Sequence, residues 1–185
     1  MSATGVDGPR RVIVVGCPGS GKTTLALALG RKLRLPVVHL DVLYFQPGWK
    51  KSHTPSFRAR VADAIAQAGW IADGSFSGIA FDLTLAQAEL LVMIERPRWL
   101  CLWRALWRSA FARGGQRPDL PVGCPEQFDM NLLRQVWRYA IDLAPRIEAE
   151  RLQYRPDLPV VRLRSDREIA AFLDAGFVSL SSPAT

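Results

Sequence analysis

Eight consecutive residues, Gly16-Cys17-Pro18-Gly19-Ser20-Gly21-Lys22-Thr23, set glycines, a lysine and a hydroxyl at the spacing GxxxxGK[ST]. These residue types at this spacing suit the binding of a phosphate chain. Glycine has no Cβ, so the backbone can wrap an oxyanion closely and turn successive N–H groups inward. A helix starting near Gly21 adds the positive end of its dipole. Lys22 is expected to reach the β and γ phosphates and the Thr23 hydroxyl to hold Mg²⁺. The expected ligand is therefore ATP with Mg²⁺, held by Gly16, Pro18, Gly19, Ser20, Gly21, Lys22, Thr23 and Thr24. Cys17 reads as a small side chain of the loop, not as a nucleophile.

Three acids, Asp41, Asp73 and Glu95, end predicted strands. In open α/β sheets ligands sit beyond the carboxyl ends of the strands, where such a loop also lies. Asp73 is a candidate for Mg²⁺ through water, with an Asx turn at Asp73-Gly74 as the alternative. Asp41 is a candidate for substrate or Mg²⁺-bound water, or else caps a loop; Glu95 has Arg96 and Arg98 beside it to neutralise it. Arg104, Arg108, Arg113 and Arg117, with Arg134 and Arg138 beyond, bracket residues 113–128, a segment rich in proline and glycine that reads as a lid. Arginines on a lid can neutralise the charge that spreads over a transferring phosphoryl group; as solvated residues of amphipathic helices they would do nothing of the kind. The candidate catalytic set is Lys22, Asp41, Asp73, Arg104, Arg108, Arg113 and Arg117, with Thr23 and Asp73 for the metal. His39 reads as structural. Trp99, Trp103 and Trp107, spaced at i, i+4 and i+8, read as core packing, with a base-stacking platform as the sharper alternative. A zinc-clamped lid is excluded, since Cys124 has no second thiol or histidine within ligand spacing.

The elements that must position these groups follow from periodicity. Arg11-Val12-Ile13-Val14-Val15 is a buried strand, and leucines at 25, 29 and 33 make the helical stripe after the loop. Further strands are predicted at 36–41, 70–74, 90–95 and 158–163, and helices at 54–69, 97–112, 129–152 and 165–176. The third of these helices carries Pro145, where a kink or break is expected. Ser165 and Glu168 form a capping box for the last. Strands alternating with helices imply an α/β fold with a parallel sheet covered on both faces. At 185 residues and 49% hydrophobic content the chain suits one domain, residues 1–185, with 1–9 as a flexible tail. No apolar stretch is long enough to span a bilayer. Three unpaired cysteines and the lack of a leader point to the cytoplasm. The net charge of +7 rests on 20 arginines against 4 lysines, which fits phosphate ligands or nucleic acid and equally a codon bias toward arginine.

The phosphate loop, His39-Leu40-Asp41, Pro47-Gly48-Trp49, Asp73-Gly74, Pro97-Arg98-Trp99, Cys101-Leu102-Trp103-Arg104 and the string from Arg117-Pro118-Asp119 to Gly123-Cys124-Pro125-Glu126 together resemble the bacterial DNA topology modulation (FlaR-related) proteins. That group is adenylate-kinase-like within the P-loop NTPases. The resemblance, over about residues 11–173, implies a three-layer fold with a five-stranded parallel sheet in the order 2-3-1-4-5 and a lid. It also implies a kinase-like protein that transfers the γ-phosphoryl group of ATP to a nucleotide or other small acceptor. Ser75-Phe76 departs from the Phe-Pro-Arg of adenylate kinases after the Asp-Gly pair, so AMP is not favoured as acceptor. A nucleotide-regulated nucleic-acid-binding ATPase is the alternative, and a plain ATPase switch acting on a partner is a third reading. Oligomeric state is not legible.

Overall fold

The computed structural model describes residues 8–111, 121, 123–124 and 130–175; of residues 108–111 only the backbone is described. Five strands form the main sheet: β1 (Arg11–Gly16), β2 (Val37–His39), β5 (Trp70–Asp73), β6 (Leu90–Ile94) and β7 (Val160–Leu163). Their order is β2-β5-β1-β6-β7 and every pairing is parallel. Counted among themselves these strands run 2-3-1-4-5, the order the resemblance implied. A sheet of this kind must be covered on both faces, and β1 and β6 are accordingly almost uninterrupted runs of buried apolar residues.

One face packs against α3 (Thr54–Ala64), α4 (Phe81–Gln87) and α6 (Met130–Tyr154), through Phe57, Val61, Phe81, Leu85 and Ile147. The other packs against α1 (Lys22–Leu33) and α7 (Asp166–Asp174), through Leu25, Leu29, Leu33, Ile169 and Phe172. The predicted capping box forms in shifted register. Ser165 Oγ accepts from the Glu168 N–H at 3.1 Å, while the Glu168 carboxylate reaches the Arg164 N–H at 2.7 Å, one residue before the cap.

Several expectations are corrected. Asp41 does not end a strand: β2 stops at His39, and Asp41 lies in the first turn of the short helix α2 (Leu40–Tyr44). Buried Leu40 holds that turn against the core. The region after it forms a two-stranded hairpin, β3 (Phe45–Gln46) and β4 (Lys50–Lys51), and α4 fills a stretch assigned to no element. The cap of α3 is His53, which leaves Thr54 and Pro55 inside the first turn. Helix α6 runs through Pro145 as one element. The carbonyl that Pro145 leaves unpaired belongs to Ile141, 62% exposed, so water can serve it and the helix need not break.

The tryptophan stripe is also turned outward. Helix α5 (Arg98–Phe111) buries Cys101 and Ala105, whereas Trp99, Trp103 and Trp107 are 67%, 55% and 53% exposed. Small side chains let α5 approach its neighbour closely, which large indoles would prevent. The core reading of these tryptophans is therefore overturned.

Phe57 is fully buried, so Phe57→Ala should lower the unfolding free energy by about 3–5 kcal/mol in urea titrations. Loss of the α7 cap in Ser165→Ala should cost about 1 kcal/mol in the same assay.

Candidate functional site

Gly16 ends β1, and the loop turns at once: the Ser20 N–H donates to the Cys17 carbonyl at 2.9 Å and the Leu25 N–H to that of Gly21 at 3.0 Å. Two glycines are required by conformation, Gly19 at φ +84° and Gly21 at φ +97°. A Cβ on Gly19 would stand 2.4 Å from the Cys101 carbonyl oxygen of α5, so the loop is wedged against that helix. A Cβ on Gly21 would meet nothing within 4 Å, so the loop is open on that side. Helix α1 starts there with no side-chain cap and no acid in its first turn, which leaves its first N–H groups to an anion. Ser20 Oγ is buried without a hydrogen-bond partner among the described residues, a polar atom that suits a ligand reaching into the loop. Gly16 is buried, Pro18 is half-buried and Thr24 is exposed.

Asp73, at the end of β5 and 5% exposed, is the hub of the site. Thr23 donates its hydroxyl to Asp73 Oδ2 at 2.7 Å, and His39 Nδ1 lies 3.0 Å from the same oxygen. The other oxygen, Oδ1, has no hydrogen bond but stands 3.7 Å from the Lys22 ammonium. Burial pushes the Asp73 carboxyl upward; the His39 hydrogen bond, the Lys22 charge and the Thr23 hydroxyl outweigh it and hold the group below the usual carboxylate range. It is thus a buried carboxylate kept charged. Parallel pairing of β2 with β5 sets His39 directly opposite Asp73, and β5 beside β1 sets Asp73 opposite Val14. His39 read as structural from its position alone; the strand order makes it part of the cluster. A histidine closing a strand two residues before an acid was the signal available for it.

This arrangement can do specific chemistry. Thr23 and Asp73 offer a hydroxyl and a carboxylate on one side of an anion-binding loop, a donor set that fits a hard divalent cation such as Mg²⁺. Lys22 supplies a positive charge at the same point.

The structure brings Gly16, Ser20, Lys22, Thr23 and Asp73 together; other candidates stand apart or outside the description. Asp41 is half-buried in α2. Arg104 turns toward α7, with Nη2 3.4 Å from Asp166 Oδ2. The side chain of Arg108, and the whole of Arg113 and Arg117, lie outside the described residues, as does most of the predicted lid. Glu95 is neutralised, although not by Arg96 or Arg98: Arg162 of β7 and Arg164 just after it meet it at 2.5 and 3.1 Å.

The described part of the lid segment docks on the β3–β4 hairpin. The Gly48 N–H donates to the Gly123 carbonyl at 2.9 Å, and the Trp49 N–H reaches Cys124 Sγ at 3.3 Å. Cys124 in turn donates to the Gln46 carbonyl at 3.1 Å. Farther along, Asn131, Arg134, Arg138 and Arg146 of α6 line an open cavity of about 310 Å³. Arg146 lies so close over Gly78, in the loop after Asp73, that a Cβ there would be 2.6 Å from its guanidinium.

No family model matches the chain, and no curated protein sequence does. Among solved structures it is similar to a gluconokinase from Sinorhizobium meliloti 1021, at a TM-score of 0.56 and 15% identity over 94% of this chain and 92% of that one. A sugar kinase from Janibacter sp. HTCC2649 aligns at 0.49, with 16% identity over 94% and 99% of the two chains. A shikimate kinase from Bacteroides thetaiotaomicron aligns at 0.46, with 17% identity over 91% and 96%. At such identities the likeness is one of fold, and the gluconokinase carries it: an α/β fold with a parallel sheet flanked by helices, shared over 94% of this chain.

Because the Asp73 carboxyl is lowered in the folded chain, it contributes stability that is present above the ordinary aspartate range, near pH 4, and is lost as the pH falls through its folded value. Thermal melts from pH 7 down to pH 3 should therefore fall less steeply below about pH 4 for Asp73→Asn than for the parent chain. Parallel acid limbs would show that Asp73 is not held charged by its neighbours.

Proposed function

We propose that this chain is a phosphotransferase that takes the γ-phosphoryl group of ATP to a small anionic acceptor. The observation that carries the reading is the meeting of the Lys22 ammonium and the Thr23 hydroxyl on the buried Asp73 carboxylate, beside a glycine loop that leaves one face free. Backbone N–H groups of the loop and of the α1 N-terminus bind the phosphates, and Lys22 swings from Asp73 to the β and γ oxygens. Thr23 and Asp73 would hold Mg²⁺, which would supply neutralisation of the charge that develops on the phosphoryl oxygens. Asp73, itself held by His39, fixes the Thr23 hydroxyl, and Asp41 is proposed to serve substrate or Mg²⁺-bound water. The arginine-lined cavity along α6 beside the Gly78 loop supports an acceptor with a carboxylate or phosphate, since guanidinium pairs such groups in bidentate fashion. The gluconokinase likeness is in keeping with a carboxylate. Arg108, Arg113 and Arg117 are proposed to serve the lid segment, whereas Arg104 is engaged with Asp166.

The test is ADP release from ATP-Mg²⁺ in the presence of nucleoside monophosphates, sugar acids and hydroxy acids in turn. At least one anionic acceptor should raise turnover above the ATP-only rate, and Lys22→Ala should cut kcat/KM by about 10²-fold or more. Turnover indifferent to every acceptor would remove the phosphotransferase reading.

The exposed indoles favour one second reading, binding of single-stranded nucleic acid. Trp103 and Trp107 stack at 5.5 Å, and Arg98 lies 4.9 Å over the Trp137 ring. Quenching of tryptophan fluorescence by oligothymidylate, weakening steeply with salt, is its expected signature. No quenching at low salt would eliminate it.

A further inference from the structure

Two of the three cysteines meet at the back of the phosphate loop. Cys17, its second residue, and Cys101 of α5 form a small buried cluster with Val136 of α6, at 4%, 0% and 1% exposure. Cys17 Sγ is also 3.7 Å from the Val136 carbonyl oxygen. Gly19 rests on the Cys101 backbone beside them. The third cysteine, Cys124, belongs to the hairpin contact and takes no part.

We propose that Cys17 and Cys101 are a redox pair whose disulfide deforms the phosphate loop and closes it to phosphate ligands. The contact at Gly19 leaves no slack between the loop and α5. Drawing the two clustered side chains into an S–S bond of about 2 Å then tilts the loop about that point. The Cys17 carbonyl that anchors the Ser20 N–H moves with it, and the N–H cradle loses its register.

The chemistry is that of an unequal pair. The hydrogen bond from Cys17 and the charges of Arg104 and Arg96 hold the Cys101 thiol below its usual range against the opposing effect of burial. Cys17 is pushed the other way by the same hydrogen bond, by burial and by the Cys101 charge. In the proposed reaction Cys101, with the charges of Arg104 and Arg96 near it, is taken as the attacking thiol and Cys17 as the resolving one. Because both are buried, the oxidant must be of about water size, and hydrogen peroxide qualifies. The Cys101 thiolate attacks one peroxide oxygen, the O–O bond breaks, and the departing hydroxide takes up a proton as water. The sulfur of Cys17, as it loses its proton, then attacks the Cys101 sulfenic sulfur. The S–O bond breaks and a second water leaves. Two thiols lose two electrons and one peroxide gains them.

The test treats the whole chain with peroxide, alkylates it under denaturing conditions and reads its mass. The oxidised chain should carry one alkyl group in place of three and, adducts subtracted, weigh about 2 Da less, reversed by dithiothreitol, and the linked peptides should contain Cys17 and Cys101. Cys124→Ser should keep the response, whereas Cys101→Ser and Cys101→Ala should abolish it. No ligand is needed for the second readout: amide exchange over residues 16–22 should differ between the two redox forms. The third rests on the ATP-binding reading above, with ATP affinity falling about tenfold or more on oxidation. Failure to form the disulfide, or a disulfide without change in loop exchange, overturns the proposal. So does equal ATP affinity of both forms. An altered loop in a chain that binds no ATP in either form supports the redox pair and counts only against the ATP reading.

Discussion

A carboxylate that is both buried and charged imposes conditions on everything around it, and Asp73 is that group in this protein. Taking its charge out of water costs several kcal/mol unless partners replace the lost hydration. Those partners come from two separate segments: His39 from β2, and Thr23 and Lys22 from the start of α1. The sheet order is what brings them within reach, because β5 lies between β2 and β1 and the loop leaves the end of β1. A slip of either pairing by one residue would turn His39 or Asp73 to the other face of the sheet. The same contacts that make the charge tolerable hold Thr23 and Lys22 at the mouth of the loop.

The loop has a second boundary behind it. Gly19 rests on the α5 backbone, and Cys17 packs between α5 and α6 through Cys101 and Val136. Helix α5 can come this close because its inner face carries small residues, with Cys101 and Ala105 fully buried. The position of the loop therefore depends on these two helices as well as on β1, and the segment between α5 and α6 includes the residues that dock on the β3–β4 hairpin.

The arginine excess finds much of its use in the fold itself. Arg162 and Arg164 neutralise Glu95, Arg58 grips Asp82 with two bonds of 2.7 Å, and Arg155 reaches the carbonyls that end α4. Such paired groups serve as struts between elements. Arg134 and Arg146 differ, since both line the cavity along α6, where Asp142 already pairs with Arg138. Net charge alone did not separate these two kinds of arginine.

The residues by themselves determined the phosphate loop, the five strands, the helix after the loop and the acid at Asp73. Each of those follows from short-range chemistry: glycine where φ is positive, β-branched runs where both faces are buried, leucines at helical spacing. What depended on the tertiary structure was which distant residues share a neighbourhood. His39 joined the site only because β2 pairs with β5, and Asp41 left the strand because Leu40 draws the chain into a helical turn. Helix α5 carries two apolar stripes, one of tryptophans and one of small residues, and periodicity ranks them by size. The fold chose the small one, because close approach to a glycine loop is a matter of space that the sequence pattern does not encode.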